Sequence, residues 1–310
     1  MNPVDDYISE LELLGRKPSY LRSVSGAIRD FVTNTGCEDV GDLDVSQVSE
    51  RDIKAWLVAM RNRNMSDASI KRGVGHLNRF FAFVIESPDH NSITINPCTR
   101  IFKRLPSGRK QTRRPFKTVD EIGRVIKSAF NPRDRVILAI FAKLGLRRGE
   151  VVGLNIEDID IEDRVMYVRH HYDDRAQVLL DGRKNGVEST LPLDDETVKV
   201  LKVYLAVRQP VDGALFISRG GVRLNNGEIG KIVNEYVDKS GIAKNGERIT
   251  PHYFRAWLTY SLTINGCKPE IVQVIRGDVA DTMANFYTRE ILSFDDARRD
   301  YLRCVPIFGL

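Results

Sequence analysis

Apolar residues recur at the three- and four-residue spacing of amphipathic helices along the first hundred residues of the chain. Two groups with this spacing are Ile53, Trp56, Leu57 and Met60, and Leu77, Phe80, Phe81 and Val84. Gly, Asn and Ser separate the groups and favour helix ends and turns. The pattern predicts an all-helical domain over residues 1–102, with four or five helices and no strand.

After residue 114 the pattern indicates a second domain. Asn131 and Pro132 have the form of an N-cap followed by a proline in the first helical turn. The apolar run over 136–144 continues that helix, and Gly145 ends it. We expect the next helix to begin near Arg148.

Short β-type segments follow, and then helices resume. Residues 164–172 and 189–193 are predicted strands of one small sheet, with a glycine-containing turn over 181–188 between them. The further predicted helices are 195–208, 226–240, 251–265, 269–276 and 282–290. Residues 115–310 are therefore expected to fold as an α+β domain, mainly α with a small β-sheet.

A basic linker, residues 103–114, joins the two predicted domains. It reads KRLPSGRKQTRR, with six basic residues, no acidic residue, and a Pro and a Gly that oppose folding. A solvated connector is the simplest interpretation, but adjacent like charges repel one another unless a polyanion neutralises them. We therefore expect phosphate contacts from the linker and the preceding domain. The candidates are Lys71, Arg72, Arg79, Arg109, Lys110, Arg113 and Arg114.

Composition restricts the class of protein. The 310 residues carry 47 Lys and Arg against 42 Asp and Glu, a net charge of +5, so affinity for a polyanion must come from clustered charges. The four cysteines lie far apart without zinc-binding spacing, which predicts free thiols and no zinc site. We expect no metal and no cofactor. No apolar run approaches the roughly 18 residues of a membrane span, and the acidic N-terminus is unlike a signal peptide. We expect a cytoplasmic protein.

A predicted helix start near residue 250 carries two groups that can bind one anion. Thr250 and Pro251 have the form of a cap and a first-turn proline, which places His252 and Arg255 on one helix face. The helix dipole and the free backbone amides add to their charge. Surface pairs with this spacing are frequent by chance, so context has to decide between the two interpretations.

Two further cationic segments supply context. Arg147 lies on a short turn between two apolar segments, with Arg148 as its competitor, and a surface ion pair to Glu150 or Asp158 would explain either arginine. Lys184 lies at the tip of the predicted hairpin, where lysines usually only increase solubility. None of these residues indicates a function by itself.

In this order, the segments resemble those of the tyrosine recombinase or phage integrase family. The similar segments are LGLRRGEVVGL, DGRKNGVESTLPL, HYFR and VIRGDVADTMANFYTRE. They look like the family's first arginine box, its hairpin lysine segment, its HxxR box and its nucleophile segment. The helical first hundred residues resemble its SAM-like core-binding domain, which holds the opposite face of the duplex. The resemblance implies the catalytic residues Arg147, Lys184, His252, Arg255 and Tyr287.

The resemblance also implies a reaction. Tyr287 would attack a DNA phosphodiester and form a 3′-phosphotyrosyl bond, with Arg147 and Arg255 binding the nonbridging oxygens. His252 would accept or donate a proton, and Lys184 would protonate the leaving 5′ oxygen. The implied partners are double-stranded DNA attachment sites and further copies of the chain, as a tetramer on DNA, without a metal and without a membrane.

One position departs from the family pattern. Where the family commonly has Gly-His or Gly-Trp before the tyrosine helix, this sequence has Gly277 and Asp278. An ionised carboxylate repels a phosphate, so Asp278 caps the next helix, hydrogen-bonds a catalytic cation, or marks a weakened enzyme. Arg276 is a candidate replacement donor. A non-catalytic DNA-binding protein of the same fold therefore stays open as an alternative. So does a type IB topoisomerase, which shares the phosphotyrosyl chemistry.

The last segment of the sequence, FDDARRDYLRCVPIFGL, carries an apolar stripe. The stripe consists of Phe294, Ala297, Tyr301 and Leu302. It either covers the core of its own domain or, as tails of the family can, docks on a neighbouring subunit.

Overall fold

The chain divides into two compact units, Met1–Arg113 and Arg114–Leu310. The computed structural model describes residues 2–90, 92–106, 115–173, 177–183, 186–211, 213–243, 247–278 and 293–310. Each unit has its own hydrophobic core. Within the described ranges, no helix combines the length and the apolar surface that crossing a bilayer requires.

The first unit is helical. Its helices are α1 (Pro3–Leu13), α2 (Pro18–Thr35), α3 (Glu50–Asn62), α4 (Asp67–Glu86) and α5 (Thr99–Arg104), with 3-10 turns at Val40–Asp42 and Val45–Gln47. Side-chain caps start several of them; at α4, Ser66 Oγ accepts a hydrogen bond from the Ser69 N–H at 3.2 Å. Phe31, Trp56 and Phe80 are buried where the apolar faces meet. Among the described residues of this unit, the prediction of four or five helices and no strand is confirmed.

The second unit surrounds one buried helix, α7. Its helices are α6 (Val119–Lys127), α7 (Pro132–Leu144), α8 (Arg148–Gly153), α9 (Asp195–Val207), α10 (Asn226–Ser240), α11 (Pro251–Ile264), α12 (Pro269–Arg276) and α13 (Phe294–Cys304). α7 is buried at every position from Val136 to Leu144 and packs against α9 and α11. As predicted, Asn131 caps its start, accepting a hydrogen bond from the Arg133 N–H at 3.0 Å, and Gly145 ends it with φ of 58°.

The strands of the second unit form two sheets instead of one. They are β1 (Ile159–Asp160), β2 (Val165–Val168), β3 (His170–Asp173), β4 (Val178–Asp181) and β5 (Ser189–Pro192). The three-stranded antiparallel sheet has the order β1-β2-β5, and β3 pairs with β4 in a separate hairpin. The prediction of one strand over 164–172 was wrong, because its two halves pair with different segments. Met166 pairs with Leu191, whereas Tyr172 pairs with Leu179.

Two glycines bring α8 directly against β3. A Cβ on Gly149 would lie 2.9 Å from Tyr172 O, and a Cβ on Gly153 would lie 2.8 Å from His170 O. A larger side chain at either position would push the helix away from the hairpin. The contact places the start of α8, which carries Arg147, beside the hairpin that precedes residue 184.

The C-terminal segment packs on its own unit. Tyr301 is fully buried, and its hydroxyl donates to Lys143 O at 2.8 Å. Phe308 stacks against Trp257, with ring centroids 5.8 Å apart. Of the two uses expected for this segment, the structure shows the first, which is covering the core of its own unit.

The mainly helical α+β fold class is confirmed. Several predicted features lie outside the described residues. They are the helix over 282–290 with Tyr287, the turn residues Lys184 and Asn185, and residues 107–114 of the linker.

Candidate active site

Arg147 is held at the start of α8 by a buried carboxylate. Its backbone N–H donates to Glu150 Oε2 at 2.8 Å, and its Nη1 donates to Oε1 at 2.9 Å. Glu150 is fully buried. Burial alone would raise the pKa of Glu150, but the Arg183 guanidinium and the hydrogen bonds from Arg147 hold it below its usual value. The carboxylate therefore stays charged and fixes the guanidinium of Arg147.

Arg255 projects from the second turn of α11 into the interior and is only 4% exposed. Its Nη1 donates to Gly145 O at 2.8 Å, and its Nη2 donates to Arg276 O at 2.6 Å. These carbonyls lie at the C-terminal ends of α7 and α12, where the helix dipoles favour a cation. Burial and the charge of Arg147 lower the pKa of Arg255 to about 10, while Asp278 opposes the shift. Arg255 is still protonated at neutral pH.

Asp278 joins the two arginines. Its Oδ1 accepts a hydrogen bond from Arg255 Nη2 at 2.9 Å and lies 3.4 Å from Arg147 Nη2. Its Oδ2 lies 2.8 Å from Arg276 Nε. This geometry matches the interpretation in which Asp278 hydrogen-bonds a catalytic cation. A cap on the predicted helix over 282–290 would involve residues outside the described ranges.

His252 is exposed one turn before Arg255 and lines a cleft of about 320 Å³. The residues that line the cleft are Leu146, Arg147, Arg148, Thr250, Pro251, His252 and Arg255. A larger cleft, of about 650 Å³, lies in the first unit, but its lining includes four acidic residues. The basic cleft of the second unit is the better site for a phosphate, since carboxylates repel one.

The competing arginine, Arg148, lies at the rim of the same cleft but points toward α10. Its Nη1 lies 3.3 Å from where a Cβ on Gly230 would be. Arg147 makes the ion pairs with Glu150 and Asp278. The contacts therefore favour Arg147 over Arg148 as the arginine of the cleft.

Two buried residues of the site were not predicted as such from the sequence: Glu150 was expected only as the partner of a surface ion pair, and Arg183 was not named. Arg183 Nε and Nη2 each donate to Glu150 at 3.1 Å, and both side chains are fully buried. A glutamate at the third position of a helix is a known capping signal, so the role of Glu150 at the start of α8 could have been predicted. Arg183 had no local signal, because its role depends on contacts with distant segments.

The other predicted DNA contacts that the structure describes lie on α4 of the first unit. Arg72 and Arg79 are exposed on α4, and Arg79 Nη2 lies 2.9 Å from His76 Nδ1. Lys71 donates to Leu105 O at 3.0 Å and lies over the Phe102 ring, so part of its charge is used internally. The linker candidates Arg109, Lys110, Arg113 and Arg114 lie outside the described residues, as do Lys184 and Tyr287.

One group of described residues has the composition of a metal site. The ligand atoms of Cys267, Asp300 and Cys304 lie within 4.8 Å of one another. Burial raises the pKa of the Cys267 thiol, and Asp300 already accepts hydrogen bonds from the Lys268 N–H at 2.8 Å and from Arg303 at 2.6 Å. Protonated thiols and an occupied carboxylate are poor ligands, so this group is a hydrogen-bonded packing cluster.

The fold and the arginine cleft agree with a known family of proteins. Residues 115–291 match the model of the phage integrase family, and the chain belongs to this family, the tyrosine recombinases. Tyrosine recombinase XerC of Thermodesulfovibrio yellowstonii is 26% identical over 255 residues, which are 76% of this chain and 76% of XerC.

Two solved structures share the fold. The Tn1549 transposon integrase in complex with transposon right end DNA has a TM-score of 0.72 at 18% identity, over 98% of this chain and 99% of that one. A lambda integrase tetramer bound to a Holliday junction has a TM-score of 0.68 at 19% identity, over 91% of this chain and 77% of that one.

Proposed function

We propose that this chain is a site-specific recombinase that cuts and rejoins double-stranded DNA through a 3′-phosphotyrosyl intermediate on Tyr287. The observation that carries the proposal is the convergence of Arg147 and Arg255 on one oxygen of Asp278. The two arginines come from distant segments, and each is fixed by a buried carboxylate or by helix-end carbonyls. Two fixed guanidinium groups aimed at one anionic oxygen suit the nonbridging oxygens of a phosphodiester.

The two arginines would stabilise the transition state. Negative charge grows on the nonbridging oxygens as the nucleophile adds. Preorganised donors therefore bind the transition state more strongly than they bind the ground state. Removing one such donor costs about 3 kcal/mol in activation free energy. We assign Asp278 an orienting role, in which it holds Arg147 and Arg255 until the scissile phosphate takes its place.

The remaining roles follow from proton balance. A phenol has a reference pKa of about 10, so Tyr287 is protonated at neutral pH and must lose its proton as its oxygen bonds to phosphorus. His252, which lines the cleft, is the proposed proton acceptor. The bond from phosphorus to the 5′ oxygen breaks, and Lys184 supplies the proton to that oxygen. Attack by another 5′ hydroxyl reverses these steps on a new strand. The phosphodiester energy is retained in the phosphotyrosyl bond, so no energy source is consumed.

The helical unit and the linker would hold the duplex by its phosphates. Exposed Arg72 and Arg79, together with Arg109, Lys110, Arg113 and Arg114, are the contacts assigned to this grip, and Lys71 contributes less because it is engaged internally. Such contacts set affinity and salt dependence more than sequence preference. Recombination pairs two DNA sites, and we assign a tetramer on DNA, supported by the shared fold of the lambda integrase tetramer.

Covalent trapping tests the function. Sheared and nicked genomic DNA of the source organism is incubated with the chain, denatured in detergent, and searched for DNA bound covalently to protein. We expect the wild-type chain to retain DNA of one defined sequence and Tyr287→Phe to retain none, because a phenylalanine has no nucleophilic oxygen.

Two controls define what the result means. Tyr260→Phe, which changes a half-exposed tyrosine of the same unit, should trap as the wild type does. Relaxation of plasmids that lack the recovered sequence would indicate a topoisomerase. Failure of the folded wild-type chain to trap any DNA would overturn the enzyme assignment.

A further inference from the structure

Arg183 is a fully buried arginine that connects two segments of the proposed site. Its Nε and Nη2 pair with Glu150, the carboxylate that also fixes Arg147. Its Nη1 donates to Ile275 O at 3.2 Å, near the end of α12. A guanidinium can serve a carboxylate and a carbonyl at once because its donors are rigid and planar.

The end of α12 is shaped to receive this guanidinium. A Cβ on Gly277 would lie 2.3 Å from Arg183 Nη1 and 2.4 Å from its Cζ. Gly277 also adopts φ of 60°, which suits a residue without a Cβ. Only glycine leaves room for Arg183 at this position, so the two residues depend on each other.

Two backbone hydrogen bonds of Arg183 join it to described residues on the far side of Lys184. The Arg183 N–H donates to Val187 O at 3.0 Å, and the Gly186 N–H donates to Arg183 O at 2.6 Å. Gly182, with φ of 69°, is close enough to Gly186 that a Cβ would lie 2.5 Å from its carbonyl carbon. The residues on both sides of 184–185 are thus tied to Arg183, whose side chain is tied to Glu150.

We propose that Arg183 is a positioning residue: it anchors the described residues that flank Lys184 to Glu150 and α12, and so positions the proton donor relative to the arginine clamp. This inference rests on the proposed function. It assigns Arg183 no contact with DNA, because its side chain is fully buried. The larger part of its effect on the reaction is transmitted through the neighbouring lysine, and a smaller part through Glu150 and Arg147.

The test separates proton donation from the other steps. The full chain is assayed on the trapped site as a nicked duplex, with oxygen or with sulfur as the bridging 5′ atom of the scissile phosphate. A thiolate leaves without a proton, because a thiol is a far stronger acid than an alcohol. For Arg183→Lys and Arg183→Gln we expect covalent-complex formation to slow on the order of 100-fold with oxygen. With sulfur most of this loss should be recovered, and the part that remains measures the effect of Arg183 on Glu150 and Arg147.

Arg133 offers a matched control, because it also pairs with a carboxylate, Asp134, and a backbone carbonyl, Ile217 O, both at 2.8 Å. Arg133→Gln should slow the cleavage of the oxygen and the sulfur duplex by the same factor relative to the wild type. Arg183→Lys keeps the charge, so it still gives an answer if Arg183→Gln does not fold. Equal slowing of both duplexes, or wild-type rates in a folded Arg183 variant, would overturn the inference. Absence of cleavage by the wild-type chain would instead count against the proposed function.

Discussion

Asp278 lies where the charges of three arginines meet. Its two oxygens face Arg147, Arg255 and Arg276. The side chain is 30% exposed, so solvent and DNA can reach it. A carboxylate here has two opposed effects, because it aligns the guanidinium groups and also reduces the positive potential that attracts a phosphate.

Asp278→Ala should therefore separate DNA binding from cleavage. Removing one negative charge should tighten DNA binding by about 1 kcal/mol, roughly fivefold in Kd. The chemical step should slow, because without Asp278 the phosphate itself must order Arg147 and Arg255. Anisotropy titrations and single-turnover cleavage measure the two quantities on the same duplex. Weaker binding, or cleavage that is faster than that of the wild type, would contradict the orienting role.

His76 is a buried, uncharged histidine of the first unit. Arg79 Nη2 donates to its Nδ1 at 2.9 Å, and its Nε2 lies 3.0 Å from Ser23 Oγ. Burial and the charges of Arg79 and Arg72 lower the pKa of His76 from 6.5 to about 4. Between these values the unfolded chain binds a proton that the folded chain does not.

The first unit should therefore lose stability as pH falls below 6.5. The contribution of His76 to the free energy of unfolding is fully present above the pKa of the unfolded chain and decreases toward pH 4. Between pH 7 and pH 5 it should fall by about 2 kcal/mol. Urea unfolding of the wild type and of His76→Gln at both pH values measures it. The variant should lack this part of the pH dependence, and an unchanged dependence would show that His76 is not its source.

At the scale of elements, the C-terminal segment is held by a buried lysine on α7. Lys143 is fully buried, pairs with Asp194 and with Glu196 at 2.7 Å, and donates to Pro306 O at 2.8 Å. Glu196 also accepts hydrogen bonds from the Phe308 and Leu310 N–H groups, each at 2.9 Å. Pro306 O therefore gives the Lys143 ammonium a third acceptor beside the two carboxylates, and Glu196 ties the last residues of the segment to α9.

Phe308→Ala should destabilise the second unit substantially. Phe308 is buried between Trp257 and Lys143, and its loss leaves a cavity that costs about 3 kcal/mol. For a unit of this size the melting temperature should fall on the order of 10 °C. The adjacent Ile307 is 76% exposed, so Ile307→Ala is the control and should change the melting temperature little. Equal effects of the two variants would contradict this packing.

At the scale of the whole molecule, the two units have separate cores. The buried apolar residues of one cluster lie between Val4 and Ile101, and those of the other lie between Ile122 and Phe308. We expect fragments 2–106 and 115–310 to fold independently, each with one cooperative unfolding transition by circular dichroism. A fragment that unfolds without cooperativity would show that its core is incomplete.

Local sequence determined the helices and the order of the candidate segments. Asn131 and Gly145 mark helix ends because caps and left-handed glycines act within one or two turns of backbone. Thr250 takes the N-cap position of α11 without a side-chain cap hydrogen bond. Pro251 starts α11 because its fixed φ suits the first helical turn, and this start places His252 and Arg255 on one face of the helix. Such signals need no knowledge of the rest of the fold, so the family resemblance could be recognised from them.

The tertiary structure decided what depends on distant segments meeting. The split of 164–172 into β2 and β3 follows from pairing with β5 and β4, which no local pattern reveals. The preference for Arg147 over Arg148, the pairing of Asp278 with Arg147 and Arg255, and the burial of Arg183 against Glu150 also depend on long-range contacts. Their energies depend on burial and on distances across the fold, and neither quantity is written in the neighbouring residues.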